Sequence, residues 1–541
     1  MRVAVLGLGP AGLVALKNLI EEGFDATGFD RNSYVGGLWN YTTEDQTSVM
    51  TTTVVNISKE RVCFSSRLSL SLWLTGNRAL SLTSLIPKVR TEVPSTPIVL
   101  LQQYLVSYSK HFNLGSHIRL HTLIEQITFD EQRQQWVLEI GGRTKEYFDR
   151  LVIANGGMVR VPNVPKIEGM EKFKGTSDHS QSFKQPAKFE GKRVMVVGFG
   201  NSAADTATQL AGIADKVYLA HRHGARILPR GFNGAPIDHT HSMRLFTIQS
   251  LILKYFPRFG EKFFDSFIKN MQDKTFKLRP KWGLEPVGKI PIVSDSLVPC
   301  LEQGSIISVA GIRRVLGESE VELDDGKILE VDAIIWCTGY KASFSILDEQ
   351  FDPSSRSPPS AWSTAAGSNN KALFRLYLNV FSLEKPDSLA FLGNVQFALG
   401  GFQIFDMASQ AIAQVWAGNS TLPSKALMTK AVGEHHDWLA AQAQRGYNVS
   451  PGTFDAAPWL RAMDDLAGTG VNEYLGYGLK GWLFWLKDRP FCNLLMGGLW
   501  SPHIHRVFEG KRKAWTGARK AIERVNEVAA ANRRQAKEKQ T

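Results

Sequence analysis

Two short glycine-centred turns carry most of the chemistry that can be read from this chain. The first is Gly7-Leu8-Gly9-Pro10-Ala11-Gly12, which follows the apolar run Arg2-Val-Ala-Val-Leu6. The second is Gly198-Phe199-Gly200-Asn201-Ser202-Ala203, which follows Arg193-Val-Met-Val-Val197 and continues through Ala204 and Asp205. In each, an apolar strand breaks into Gly-x-Gly and small residues open a helix. Backbone N–H groups and the positive end of the helix dipole then converge on one spot, which suits a pyrophosphate. One such turn is a weak signal. Two in one chain imply two dinucleotides.

The residues closing the second strand of each unit differ in sign. Asp30 stands 18 residues after Gly12, where a carboxylate accepts hydrogen bonds from an adenosine ribose and repels a 2′-phosphate. The first site is therefore expected to hold FAD or NAD rather than NADP. In the second unit Val217-Tyr-Leu-Ala220 ends in His221-Arg222-His223, and Arg222 lies 19 residues after Ala203. A guanidinium there suits bidentate pairing with a 2′-phosphate.

Stepping outward, the elements that must position these turns read as α/β. Two nested Rossmann-like units are expected, the first discontinuous and the second inserted into it. The divisions fall at 1–165, 166–330 and 331–541. The helix behind the first turn carries Leu13, Leu16, Leu19 and Ile20 on one face and stops at Gly23. Residues 102–112 read as helical, 124–148 as a small antiparallel unit, and 65–87 as a Leu/Ser alternation with one buried face. The strand Asp332-Ala-Ile-Ile-Trp336 is taken as the return to the first domain, and residues 406–417 as a helix.

Within the second domain, 243–282 has a different character. Leu245, Ile248, Leu251, Phe259, Phe263 and Phe267 recur at helical spacing among more basic than acidic residues. An amphipathic helix pair packed on the core is one reading, and a helix lying on a membrane surface is the other. The basic end (Lys511, Arg512, Lys513, Arg519, Lys520, Arg524, Arg533, Arg534) reads as a helix fraying into a solvated tail.

Bulk properties narrow the classes. The 541 residues carry a net charge of +12, with 43% hydrophobic and 21% charged residues, a folded chain that favours anionic partners. The basic residues fall in no nucleic-acid-binding module, so nucleic acid is not expected as a partner. Cys63, Cys300, Cys337 and Cys492 form no Cys-x-x-Cys. That argues against a disulfide reductase and a metal site, and fits a reducing, cytoplasmic compartment. No signal peptide and no transmembrane run are read from the sequence.

Further residues complete a known pattern. Phe173-x-Gly175-x-x-x-His179-x-x-x-Phe183 resembles the identifying motif of the flavin-containing monooxygenases, in particular the N- and S-oxygenating, dimethylaniline monooxygenase-like branch. Gly36-Gly37-Leu38-Trp39, Val55-Asn56-Ile57-Ser58-Lys59-Glu60, Cys337-Thr-Gly-Tyr340, Leu376-Tyr377 and Trp515-x-Gly517 fall in that family's order.

The resemblance implies that the first turn, Asp30, Leu38, Trp39, Asn56 and Ile57 contact FAD. It implies that Val55, Asn56, Ser202, Ala203, Ala204, Asp205 and Arg222 contact NADPH. It further implies oxygenation of a soft nitrogen or sulfur atom of a small molecule by O2 through a flavin C4a-hydroperoxide, with Asn56 as the catalytic side chain. His179 is tempting as a base, but a residue hydrogen-bonded between domains is preferred. Baeyer–Villiger oxidation of a ketone is the alternative, and a nucleotide-binding sensor at a membrane surface is the non-enzymatic one.

The chain departs from the family in the 65–87 run, in His223 where a second arginine is usual, and in a charged end instead of a hydrophobic anchor. The motif closes on Phe183, whereas Baeyer–Villiger relatives typically have Trp.

Overall fold

The computed structural model describes residues 1–67, 96–232, 235–284 and 291–538. Most of the 65–87 alternation lies outside them. Two parallel-centred sheets organise the described chain. The larger has seven strands in the order Leu376–Tyr377, Phe381–Ser382, Leu389–Phe391, Arg150–Ile153, Arg2–Leu6, Asp25–Phe29 and Ile118–Arg119. Its central strands run parallel, and Val3, Ala4, Val5, Leu151 and Val152 are fully buried. Such continuous apolar runs suit a sheet covered on both faces.

Helix Pro10–Glu21 covers one face and packs against helix Gly401–Trp416, which in turn packs on Ala456–Ala467. Polar residues inside that layer bond one another. The carboxylate of Asp406 accepts from Asn18 Nδ2 (3.1 Å), Gln410 Nε2 (2.6 Å) and the Ser65 N–H (2.5 Å). The expected antiparallel unit forms from Ile124–Asp130, Gln135–Ile140 and Thr144–Phe148.

The second sheet has five parallel strands in the order Thr176–His179, Ala333–Trp336, Arg193–Val197, Lys216–Ala220 and Ile307–Val309. This moves one boundary. Ala333–Trp336 pairs on both sides within the second sheet, so the chain leaves that sheet after Trp336 and not at 330 as the sequence reading had it. An apolar strand of four residues suits either sheet by pattern, and its pairing decides.

Residues 243–282 form two helices, Met243–Tyr255 and Pro257–Thr275. Ser242 Oγ caps the first by accepting the Leu245 N–H (3.2 Å), and Pro257 opens the second. The pair is fastened by only part of its surface. Gln272 Oε1 accepts the Ile227 N–H (2.9 Å), Arg226 pairs with Asp265 (2.8 Å), and Phe246 lies against Trp500 (5.0 Å).

The basic end also differs from its reading. Residues Ala518–Glu538 form one helix whose Ala521, Ile522, Val525 and Ala529 are buried. Arg512 is 4% exposed and pairs with Glu21 at 3.3 Å. The segment is docked by its apolar face, not a free tail.

Candidate functional site

The first turn opens a cavity of about 680 Å³, within the range of small-molecule and cofactor sites. Gly7 sits at φ +89°, a left-handed conformation that favours glycine, and it leads the chain from strand to helix. A Cβ on Gly12 would lie 1.7 Å from the Gly7 carbonyl oxygen, so only glycine lets the helix start this close to the strand. Gly9, Pro10 and Ala11 line the cavity where the helix Pro10–Glu21 begins.

One end of the cavity is made by Asp30, Arg31, Asn32 and Tyr34. Asp30 is 8% exposed, and its two oxygens accept the Leu8 N–H (2.8 Å) and the Asn32 N–H (2.9 Å). Both oxygens of this carboxylate are thus held in place by backbone N–H groups in the cavity wall. At the other end stand Val55, Ile57, Arg61, Val62, Gly400, Gly401, Phe402 and Phe405, with Leu38 and Trp39 between the ends. Trp39 meets Phe402 edge-on at 6.4 Å. A cradle of backbone at the centre, a carboxylate at one end and an apolar slot at the other fit FAD.

Not every expected residue reaches the cavity. Leu8 and Gly12 stand behind its wall, where Leu8 is fully buried. Asn56 stands between Val55 and Ile57, which line the cavity, and its own Oδ1 is buried without a hydrogen-bond partner. A buried oxygen left without a partner carries a desolvation cost that a small local rearrangement would relieve.

Several contributors were not named from the sequence, and Arg61, Asn155, Phe402 and Phe405 matter most among them. Arg61 comes from the turn after the Asn56 segment, and Asn155 from the end of strand Arg150–Ile153, with both of its amide atoms buried and unpaired. Phe402 and Phe405 sit on the helix Gly401–Trp416, which begins at the cavity. The glycine pair Gly400-Gly401 before an apolar helix was the available signal.

The second unit repeats the turn in a more open setting. Gly198 has φ +121°, and Gly200 is the N-cap of helix Asn201–Leu210. Ala203 and Ala204 are buried in the helix–sheet contact, so they set the turn's closeness to the sheet, while Ser202 is exposed at its mouth. Arg222 is exposed just past the strand Lys216–Ala220. Burial raises the Asp205 carboxyl to about 6, against a weaker opposing pull from Arg230. An open turn with an exposed guanidinium at the strand end fits NADPH.

His179 ends the strand Thr176–His179 and is 6% exposed. Its Nε2 lies 2.9 Å from the Gly339 carbonyl oxygen, and its Nδ1 accepts the Gln181 N–H at 3.1 Å. These contacts call for the Nε2–H tautomer and leave no lone pair for proton abstraction. Burial also lowers its pKa. The ring joins the second sheet to the crossover after Trp336.

Among the described residues no group of His, Cys, Asp and Glu could hold a metal ion, and no helix is long and apolar enough to cross a membrane.

The profile of the family described as flavin-binding monooxygenase-like matches residues 1–69 and 97–539. The chain is 45% identical over 533 residues to the monooxygenase aurF of Gibberella zeae, covering 97% of each chain. It is 29% identical to flavin-containing monooxygenase 5 of Oryctolagus cuniculus, covering 96% of this chain and 91% of that one. Among solved structures, an S-allyl-L-cysteine S-oxygenase from Allium sativum superposes with a TM-score of 0.59 at 19% identity, over 98% of each chain. An open cyclohexanone monooxygenase gives 0.58 at 16% identity, over 86% of this chain and 97% of that one. At these identities the two structures speak for the fold alone.

Proposed function

The chain belongs to the flavin-binding monooxygenase-like family and is an FAD-dependent monooxygenase that uses NADPH, and we propose that it oxygenates a soft nitrogen or sulfur atom of a small molecule. The observation that carries the cofactor part of this reading is the pair of glycine turns with opposite residues at the strand ends, buried Asp30 and exposed Arg222. Bound FAD supplies the activation of O2, and the overall balance consumes one NADPH, one proton and one O2 per oxygen atom inserted, with water released.

The protein's own part is to bind, orient and exclude water. The Gly9 and Ala11 N–H groups and the helix dipole would seat the FAD pyrophosphate, Asp30 would take the ribose, and Leu38, Trp39, Val55 and Ile57 would enclose the ring. Ser202 and Arg222 seat NADPH, with Arg222 on the 2′-phosphate and Gly198, Gly200, Ala203, Ala204 and Asp205 shaping the turn. Asn56 supplies a hydrogen bond beside the ring and nicotinamide. Heteroatom oxygenation is favoured over ketone oxidation because the motif closes on Phe183, which is buried against Phe189 (5.7 Å).

A peripheral position on an anionic membrane at a cytoplasmic face fits the surface. Phe256, Phe259, Phe263 and Phe267 are 50–66% exposed, and Trp482, Leu483 and Leu486 are 55–70% exposed on helix Leu479–Lys487. The helix Arg489–Gly497 packs against both Leu479–Lys487 and Met243–Tyr255, which joins the two apolar stretches into one region. Arg244, Lys254, Arg258, Lys262, Lys480 and Lys487 lie along the same helices. Each basic residue near an anionic surface is worth about 1 kcal/mol, within a screening length of roughly 8 Å.

The test of substrate class is oxygen transfer from ¹⁸O2 to amines, thioethers and ketones, counted against NADPH consumed. One ¹⁸O in an N- or S-oxide per NADPH supports the proposal, and label only in ester from ketones refutes it. In Asn56→Ala, NADPH oxidation should persist while product per NADPH falls and hydrogen peroxide rises. Unchanged yield would make Asn56 a structural residue. Sedimentation with anionic liposomes at low salt, weakened at high salt, is expected, and no binding to anionic or neutral vesicles refutes the membrane placement.

A further inference from the structure

A cationic side chain stands at the ring end of the first cavity with part of its charge unanswered. Arg61 lines the cavity and is 7% exposed. Its Nε donates to the Trp500 carbonyl (3.2 Å) and its Nη1 to the Asp238 carbonyl (3.1 Å). The nearest carboxylate oxygen in an ion pair with it, Asp238 Oδ2, is 4.0 Å away and already accepts the Ser58 N–H (2.9 Å) and O–H (3.0 Å). Nη2 has no hydrogen-bond acceptor among the described residues.

A buried guanidinium is costly unless its donors and its charge are matched. One wide carboxylate contact and two carbonyls match this one only in part, and burial works against its charge. An apolar side chain of similar length would pack here at lower cost. A second positive feature meets the same cavity: the helix Gly401–Trp416 begins there, with Gly400 and Gly401 in the wall. The N-terminal end of its dipole carries roughly half a unit of positive charge. Two sources of positive potential therefore face the end of the cavity that takes the ring.

We propose that Arg61 is an electrostatic partner of the flavin ring, its buried guanidinium beside the cavity stabilising the negative charge the ring acquires on reduction. Hydride transfer carries two electrons and one proton from the nicotinamide to the ring, so the ring gains one negative charge as NADPH becomes NADP⁺. Arg61 answers that charge, and Asp238, its counter-charge, moderates it. The proposal rests on the FAD reading above and adds a residue to it.

The readout is sulfite titration of the FAD-loaded protein, followed by bleaching of the flavin spectrum without turnover. Sulfite adds to the oxidised ring and places negative charge on it, so its affinity reports the local potential. Arg61→Met should weaken sulfite binding about tenfold or more, as expected when a unit positive charge is removed from beside a poorly solvated ring. The same factor in a two-electron couple corresponds to a midpoint potential lower by about 30 mV. Arg61→Lys keeps the charge and should retain most of the affinity. Asp238→Asn keeps an acceptor for Ser58 but removes the counter-charge, so it should bind sulfite more tightly than the native protein.

The opposite signs are the signature, because a merely structural role predicts loss in both. Unchanged sulfite affinity in FAD-loaded Arg61→Met overturns the proposal, as does weaker or unchanged affinity in Asp238→Asn. Where Arg61→Met fails to retain FAD, Asp238→Asn decides alone. A native protein that shows no flavin spectrum on reconstitution overturns the cofactor reading itself, an outcome distinct from FAD bound without the predicted shifts.

Discussion

The two glycine-turn units share one grammar and differ in enclosure. Around Gly7–Gly12 the turn lies inside a cavity walled by segments drawn from residues 6 to 405, and its acid, Asp30, is buried and held by two N–H groups. Around Gly198–Ala203 the mouth is open, and its base, Arg222, is exposed. The strand, turn and helix seat a pyrophosphate in both. What differs is the residue at the second strand's end and what covers the turn. The closed setting suits a nucleotide that is retained, and the open one a nucleotide that comes and goes.

The comparison can be broken most severely at Gly12. Gly12→Ala puts a methyl group against the Gly7 carbonyl, an overpacking that costs roughly 3 kcal/mol or more because backbone must move. The purified variant should lack the yellow of bound FAD and melt early. A yellow Gly12→Ala protein of native stability would contradict the account of the closed turn. In the second unit the matching position is already Ala203.

Next in size is the sign of the strand-end charge. Arg222→Ala should weaken binding of 2′,5′-ADP by about 10- to 150-fold, from a contact worth roughly 1.5–3 kcal/mol, and leave binding of 5′-AMP nearly unchanged. Calorimetry with both nucleotides measures it. Equal losses for both would mean that Arg222 acts without reading the 2′-phosphate.

A smaller effect concerns Asp205. Its carboxyl is raised from 3.8 to about 6 in the fold, mainly by burial, so between those values the folded chain holds a proton that the unfolded chain has released. Stability is therefore lost as pH rises from about 4 to 6, and the cost persists at neutral pH. Asp205→Asn should be more stable than the native chain at pH 7, by on the order of 1–2 kcal/mol. The gain should vanish below about pH 4. Denaturant unfolding across that range tests it, and a gain independent of pH would argue against burial of the charge as its source.

The smallest expected change sharpens the contrast at the matching turn position. Ala203→Gly removes a buried methyl from a helix start and should cost about 1 kcal/mol without abolishing NADPH binding. Loss of NADPH binding in this variant would mean that the second turn is as tightly specified as the first.

Much of this asymmetry was legible in the sequence, because it is written in local chemistry. Asp30 and Arg222 are read by counting from a glycine turn, and the turns by the break of an apolar run. Arg61, Phe402 and Phe405 were not legible, since they meet the cavity from segments more than 300 residues apart. Ala333–Trp336 was assigned to the wrong sheet because four apolar residues pair equally well by pattern. Arg512 read as part of a solvated tail, but its charge is spent on Glu21. In the helices 243–275 the periodicity gave the faces, while their exposure depends on what the rest of the chain leaves uncovered.

The most direct measurement is anaerobic stopped-flow reduction of the FAD-loaded native protein by NADPH and by NADH at equal, sub-saturating concentrations. The account predicts that flavin absorbance bleaches about 10- to 150-fold faster with NADPH, the margin set by the Arg222 contact. Equal rates with the two nucleotides would contradict it.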